Sequence, residues 1–298
     1  MRFGHDRFVS WVAVPTAEEV LRAAERMLKA SEAVDHAHAG KELADAEEIL
    51  EHVLGRPPKT NAEVPPAALR AFRRLLVRRA AGEPPAYLTG RTTFLDLTLD
   101  VGRGAFIPRQ SSEFMATQAI RRLRRRPHPV HVDLATGVGP VALAVAAAVR
   151  GARVFGIDLF PRPVAMARRN AERLRLRNVR FLRGDLFHPL PASLRGEVDV
   201  VTIHPPYVGR REMRELPHEI AGFEPHESLT DRSPQGLGLL SRVADEAPGW
   251  VRRGGWLLVE VSPDRSRAVA SVLRRAGFGV VRSTKGPVPV SRVVVGRT

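Results

Sequence analysis

The sequence contains no cysteine. A disulfide framework, a thiolate metal site and a cysteine nucleophile are therefore all excluded. Long apolar runs are missing as well. The longest, residues 141–149, falls far short of the ~20 residues a helix needs to span a bilayer. The opening stretch, Met1-Arg-Phe-Gly-His-Asp-Arg7, has no apolar signal core. These absences predict a soluble, cytoplasmic protein without a membrane partner, and no metal site is expected. Lysine is scarce: Lys29, Lys41, Lys59 and Lys285 are the only four among 47 basic residues. The formal charge of +15 invites a nucleic-acid reading. It is carried by arginine scattered along the chain, the skew of a GC-rich genome. The one dense run, Arg121-Arg122-Leu-Arg-Arg-Arg126, reads as a solvated helix end. Specific nucleic-acid binding is not expected.

At 298 residues the chain has room for one large domain or two, with a proper core. Residues 16–54 read as helical. Thr16 and Glu19 have capping-box spacing, and Val20, Leu21, Ala24, Met27 and Leu28 recur at helical intervals. A second amphipathic helix over 45–54 is stopped by Gly55 and Pro57. A third runs over 66–81. Residues 1–85 are thus predicted to form a small helical domain for substrate recognition. A linker with a hairpin follows over 86–110, then a helix over 112–124.

From Val130 the pattern alternates. Strands are predicted at 130–135, 153–158, 179–183, 198–203 and 256–261, with helices between them, including 140–150 and 163–174. Such alternation predicts an α/β domain over 111–298, Rossmann-like, with a mostly parallel sheet. The final pair, 278–283 and 292–296, is joined without a helix across 284–289. It reads as antiparallel at the sheet edge.

Asp133-Leu-Ala-Thr-Gly137-Val-Gly139-Pro follows the first of these strands and opens a helix. Glycines let a backbone approach a ligand, and a helix N-terminus offers free N–H groups. Asp158 ends the next strand, where a carboxylate can accept ribose hydroxyls. Asp185 ends the third and is placed to reach an adenine edge. The candidate cofactor residues are Asp133, Ala135, Thr136, Gly137, Gly139, Asp158, Leu159, Asp185, Leu186 and His204. Gly137-x-Gly139-x-x-Ala142 also satisfies the dinucleotide fingerprint, so an oxidoreductase stays open. Asp133 would oppose a pyrophosphate and welcome the ammonium of S-adenosyl-L-methionine, which favours a class I S-adenosylmethionine-dependent methyltransferase.

The fourth strand ends in His204-Pro205-Pro206-Tyr207. The prolines fix φ, donate no N–H and push the residues before them toward extended backbone. The result is a stiff bracket at a strand's carboxyl end, where open α/β sheets bind ligands. His204, Pro205 and Tyr207 are the candidate catalytic residues. A proline loop bearing a polar histidine is the plain alternative.

Taken together, these segments resemble the HemK/PrmC family of release-factor N5-glutamine methyltransferases. Asp45-Ala-Glu-Glu-Ile-Leu-Glu-His-Val-Leu-Gly55 is similar to its helical domain. Gly82-Glu-Pro-Pro-Ala-Tyr-Leu-Thr-Gly90 and Phe106-Ile-Pro-Arg109 are similar to its linker. Glu224-Pro225, Gln235-Gly-Leu237 and Ser291-Arg-Val-Val-Val-Gly296 follow in the family's order. Four segments depart. Ala135 stands where the family has a glycine, and Ile107-Pro-Arg-Gln-Ser-Ser-Glu113 replaces I-P-R-P-E-T-E. Thr230-Asp-Arg-Ser-Pro234 replaces a glycine-rich stretch, and His204 replaces the asparagine of NPPY. The resemblance implies a protein or peptide substrate and a bracket that holds a glutamine amide. In the family the asparagine pairs with that amide, donating and accepting side by side. A proline carbonyl helps hold the nitrogen in line with the methyl–sulfonium bond. A histidine has one donor and one acceptor, placed apart on its ring, but it is able to take a proton. The departure predicts weak transfer to a release-factor glutamine. Another peptide group, a small-molecule acceptor, a nucleic-acid amine and a non-catalytic S-adenosylmethionine-binding adaptor remain as alternatives.

Overall fold

The computed structural model describes residues 14–36, 39–287 and 291–298. The opening seven residues and the far end of the 284–289 turn lie outside the described residues. Among those described, no helix is long and apolar enough to cross a membrane.

The chain divides into two compact units. The first comprises the described residues up to Thr89 together with Pro217–Phe223. Its helices are α1 (Ala17–Lys29), α2 (Lys41–Leu54), α3 (Pro66–Ala80) and the short α4 (Pro85–Thr89). The capping box at Thr16 forms, with Glu19 returning a carboxylate to the Thr16 N–H at 2.9 Å. The two helices expected within 16–54 form as α1 and α2, and α2 begins at Lys41, ahead of the predicted start at 45, behind a left-handed Gly40 (φ 80°). The apolar stripes converge as their spacing requires: Leu28, Ile49, Leu50, Phe72 and Leu76 share one buried cluster.

A charged group lies buried in that unit. Arg79, wholly buried, donates Nε to Asp45 at 2.7 Å and Nη2 to Glu219 at 2.6 Å. Lys41 donates Nζ to both Glu219 oxygens at 2.8 Å. Glu219 arrives from the returning segment, which a reading of contiguous stretches does not anticipate. The division therefore differs from the boundaries expected at 85 and 110.

The second unit opens with the hairpin β1 (Arg91–Phe94) and β2 (Leu97–Asp100), then α5 (Ser111–Leu123). Next come β3 (Val130–Leu134), α6 (Pro140–Ala148), β4 (Arg153–Asp158), α7 (Pro161–Arg173), β5 (Val179–Arg183) and β6 (Val198–Ile203). Then come β7 (Val251–Val261), β8 (Val280–Lys285) and β9 (Arg292–Arg297). The sheet has seven strands in the order β5-β4-β3-β6-β7-β9-β8. Pairing is parallel from β5 to β7 and antiparallel for β7–β9 and β9–β8. Every residue of β3 and of β6 is buried, as expected for strands covered on both faces. β7 starts earlier than predicted, because Val251 pairs with Val198 across a register shift. The strand order reverses between β3 and β6, which makes their carboxyl ends the switch point where ligands bind.

Candidate active site

Register sets which strand ends meet. Leu134 of β3 pairs with Ile157 of β4 and Ile203 of β6. Ala135, Asp158 and His204 therefore follow side by side. Ile203 pairs with Val259 of β7, so His204 is also in line with Glu260.

The turn after β3 is held from within. Asp133 is buried, and its two oxygens accept the hydroxyls of Thr136 and Thr202, each at 2.6 Å. The Thr202 proton goes to Asp133, so Thr202 accepts from Nε2–H of His131 at 2.9 Å. Burial lowers the His131 pKa to about 3, keeping the ring neutral. Burial raises Asp133 to about 6, against the bonds from Thr136 and Thr202 that favour its charge. Its oxygens face the threonines, and it braces the turn. Thr136 has the same structural duty, since its N–H is also spent, on the Ile157 carbonyl at 3.0 Å.

Ala135 adopts φ 49°, which a side chain tolerates at a cost of ~1–2 kcal/mol. Gly137 has φ 57°, and a Cβ there would meet nothing within 4 Å. Its N–H donates to Asp158 at 2.9 Å, and the other Asp158 oxygen accepts the Phe160 N–H at 3.0 Å. Gly139 is the left-handed cap of α6. Leu159 is 53% exposed beside Asp158. The residues present fit S-adenosylmethionine: an open glycine turn, a strand-end carboxylate and an apolar side chain left uncovered. Asp185 gives one oxygen to Arg242 at 2.6 Å, so one remains for an adenine edge. Leu186, the residue after Asp185, turns its side chain inward. It is packed into the core beside Phe187, and only its backbone is available.

The bracket builds a second wall. His204 stacks on Tyr207 with ring centroids 5.6 Å apart, and Phe106 meets it edge-on at 5.6 Å. Arg109 lies 4.4 Å over Phe106 and pairs with the buried Glu224. Glu224 also accepts the Ile107 N–H at 3.2 Å. The Nδ1 of His204 turns inward, 3.3 Å from Ser112 Oγ and 3.7 Å from Glu260 Oε2. Burial, with Glu260 nearby, raises the Tyr207 hydroxyl above its ordinary pKa, so it stays protonated. Arg242 and Glu260 were not singled out from sequence, and Phe106 and Ser112 stood there only within segments compared with the family, without a role. Glu260 carries the signal that drew attention to Asp133, Asp158 and Asp185, an acidic residue at the carboxyl end of an apolar strand.

Arg122 in the basic run caps the Gln118 carbonyl at 2.8 Å and lies 4.6 Å over Trp256. Arg126 pairs with Asp199 at 3.2 Å. Both are engaged by the unit itself. Among the described residues, no group of three or more acidic or histidine side chains is placed to hold a metal ion.

Residues 132–222 match the family model described as a methyltransferase domain. The solved T. thermophilus 16S rRNA N2 G1207 methyltransferase, in complex with AdoMet and guanosine, is similar at TM-score 0.51. It shares 18% identity, over 70% of this chain and 49% of that one. The hMettl16 catalytic domain reaches TM-score 0.55 at 14% identity, over 74% and 81% of the two chains. Fold and strand-end turn together define an S-adenosylmethionine-dependent methyltransferase, which sets aside the dinucleotide oxidoreductase.

Residues 19–90 match the family model described as the PrmC N-terminal domain. The release factor glutamine methyltransferase of Bordetella pertussis is 36% identical over 86% of this chain and 95% of its own. That of Vibrio cholerae is 32% identical over 95% and 96%. The chain belongs to the release factor glutamine methyltransferase family.

Proposed function

We propose that this chain transfers a methyl group from S-adenosylmethionine to a side-chain nitrogen of a protein, with a release factor as the substrate. The observation that carries the reading is the register of β3 and β6, which sets the glycine turn beside the His204-Pro205-Pro206-Tyr207 bracket. The family relationship extends over nearly the full length of its relatives, and a release factor substrate places the enzyme in the cytoplasm. S-adenosylmethionine supplies a methyl group on a cationic sulfur, ready for displacement. Asp158 and the Gly137 turn hold the nucleoside end, with Leu159 against the base. Pro205 and Pro206 leave their carbonyls free to orient an acceptor N–H. Tyr207 and Phe106 fix the His204 ring and keep water from one side of the site.

A second reading, a different peptide or small-molecule nucleophile, is favoured by His204 itself, which cannot mimic the paired donor and acceptor of an amide clamp. A labelled-methyl assay offering release factor, total protein, RNA and a small-molecule extract separately tests both readings. Label on a release-factor glutamine supports the first. Label confined to small molecules or RNA overturns it. His204→Asn restores the side-by-side pair and is expected to raise the glutamine product relative to any other.

A further inference from the structure

Glu260 has no part in the scheme above, yet its position demands one. It is 1% exposed, and neither carboxylate oxygen has a hydrogen-bond partner. A buried carboxylate without partners is strongly disfavoured. It braces no backbone group, so an apolar residue would serve the fold better. Among the described residues, the side chain that faces it is the His204 ring, whose Nδ1 stands 3.7 Å from Oε2. Ser112 Oγ lies 3.3 Å from the same nitrogen. The nearby guanidinium of Arg109 is already taken by Glu224. Tyr207 stays neutral, and Arg265 pairs with Glu212.

We propose that Ser112, His204 and Glu260 form a proton-accepting group for the methyl acceptor. Glu260 is the positioning residue. Its carboxylate, 3.7 Å from Nδ1, draws the ring proton electrostatically to that nitrogen, where Ser112 Oγ is within hydrogen-bond reach, leaving the Nε2 lone pair to face the acceptor. The inference rests on reading the bracket as the acceptor site. The lone pair of an N–H or O–H acceptor forms the new bond to the methyl carbon. The carbon–sulfur bond breaks, and its electron pair stays on sulfur. The acceptor's proton passes to Nε2, and the resulting imidazolium lies against Glu260. A histidine thus fills the asparagine position by removing a proton rather than by clamping an amide.

Ligand-free protein carrying ¹⁵N-histidine reports the tautomer through long-range proton–nitrogen spectra, with His204 identified from His204→Gln. The expected wild-type form is Nδ1–H. Glu260→Leu removes the acceptor oxygens and is expected to release the ring to the Nε2–H form. Glu260→Gln keeps an acceptor oxygen and should preserve Nδ1–H. In Glu260→Gln the loss of charge should still lower kcat about tenfold or more, with S-adenosylmethionine affinity within twofold of wild type. A wild-type ring in the Nε2–H form overturns the proposal, as does a folded Glu260→Leu protein with an unchanged tautomer. If the leucine variant does not fold, an undiminished kcat in Glu260→Gln overturns it. An Nδ1–H ring in a protein that methylates nothing offered would instead sink the functional reading. Methyl transfer with an Nε2–H ring would sink only the present proposal.

Discussion

Single residues in the turn after β3 do work that their positions in sequence do not reveal. Asp133 pairs inward, and its folded pKa is raised from 3.8 to about 6 by burial. The native state therefore holds this proton more tightly than the unfolded chain does. The stabilising contribution is fully present below about pH 4 and is lost as pH rises through about 6, an effect on the order of 3 kcal/mol. Asp133→Asn removes this dependence, so its stability relative to wild type should climb between pH 4 and pH 7. Parallel urea melts check this, and parallel curves at both pH values would contradict it. Asp158→Ala should weaken S-adenosylmethionine binding by roughly 1.5–3 kcal/mol, the scale of hydrogen bonds to a charged group. It should also loosen the turn, because Asp158 holds the Gly137 N–H. Calorimetry on a folded variant with unchanged affinity would remove Asp158 from the ribose. Ala135→Gly relieves a left-handed side chain at φ 49°. The gain is up to about 1 kcal/mol once the extra freedom of the unfolded chain is counted, and denaturant midpoints measure it.

At the scale of elements, the loop after β6 is what gives the bracket its shape. Tyr207 forms an isolated bridge to Thr230. Gly236 packs so closely that a Cβ would sit 1.9 Å from the Tyr207 carbonyl oxygen, at φ 64°. Asp231 and Ser233 tie the intervening chain to the start of the helix Gly238–Glu246, through bonds such as Leu239 N–H to Asp231 at 2.7 Å. Gly236→Ala must move the bracket's backbone. It is expected to cost ~2 kcal/mol or more, as strained left-handed and overpacked sites do. Methyl transfer should fall much further than S-adenosylmethionine affinity, because the cofactor turn belongs to other strands. Equal losses in both would place Gly236 outside the acceptor site. The segment Gln235-Gly-Leu237 after the bracket was legible as a family segment, but its reason was not. The clash is with a carbonyl 29 residues earlier in the chain, numbered 207 against 236.

On the scale of the whole molecule, the helical unit is completed by a segment that leaves and re-enters the chain's order. Glu219 closes the charge on Arg79 and Lys41. Burial opposes its ionisation, but the bonds from Lys41 and Arg79 prevail and its pKa is lowered. Its contribution is thus present above the ordinary glutamate range and lost as pH falls through the lowered value. Residues 1–89 expressed alone would leave Arg79 buried with Asp45 as its remaining carboxylate partner among the described residues. Breaking a buried pair typically costs ~3–5 kcal/mol, so that fragment should melt well below the unit in the intact chain, and circular dichroism would show it. A fragment as stable as the unit in the intact chain would show that Glu219 is dispensable. The alternation of helix and strand, the capping box at Thr16, the glycine turn and the proline bracket were all readable beforehand. Each depends on spacing along a few neighbouring residues, and backbone sterics and burial periodicity act at that range. The inward turn of Asp133, the core packing of Leu186, the Glu219 closure and the meeting of His204 with Ser112 and Glu260 were not. They depend on strand order and register, which join residues far apart in the chain, and only the folded sheet determines which strand ends stand side by side.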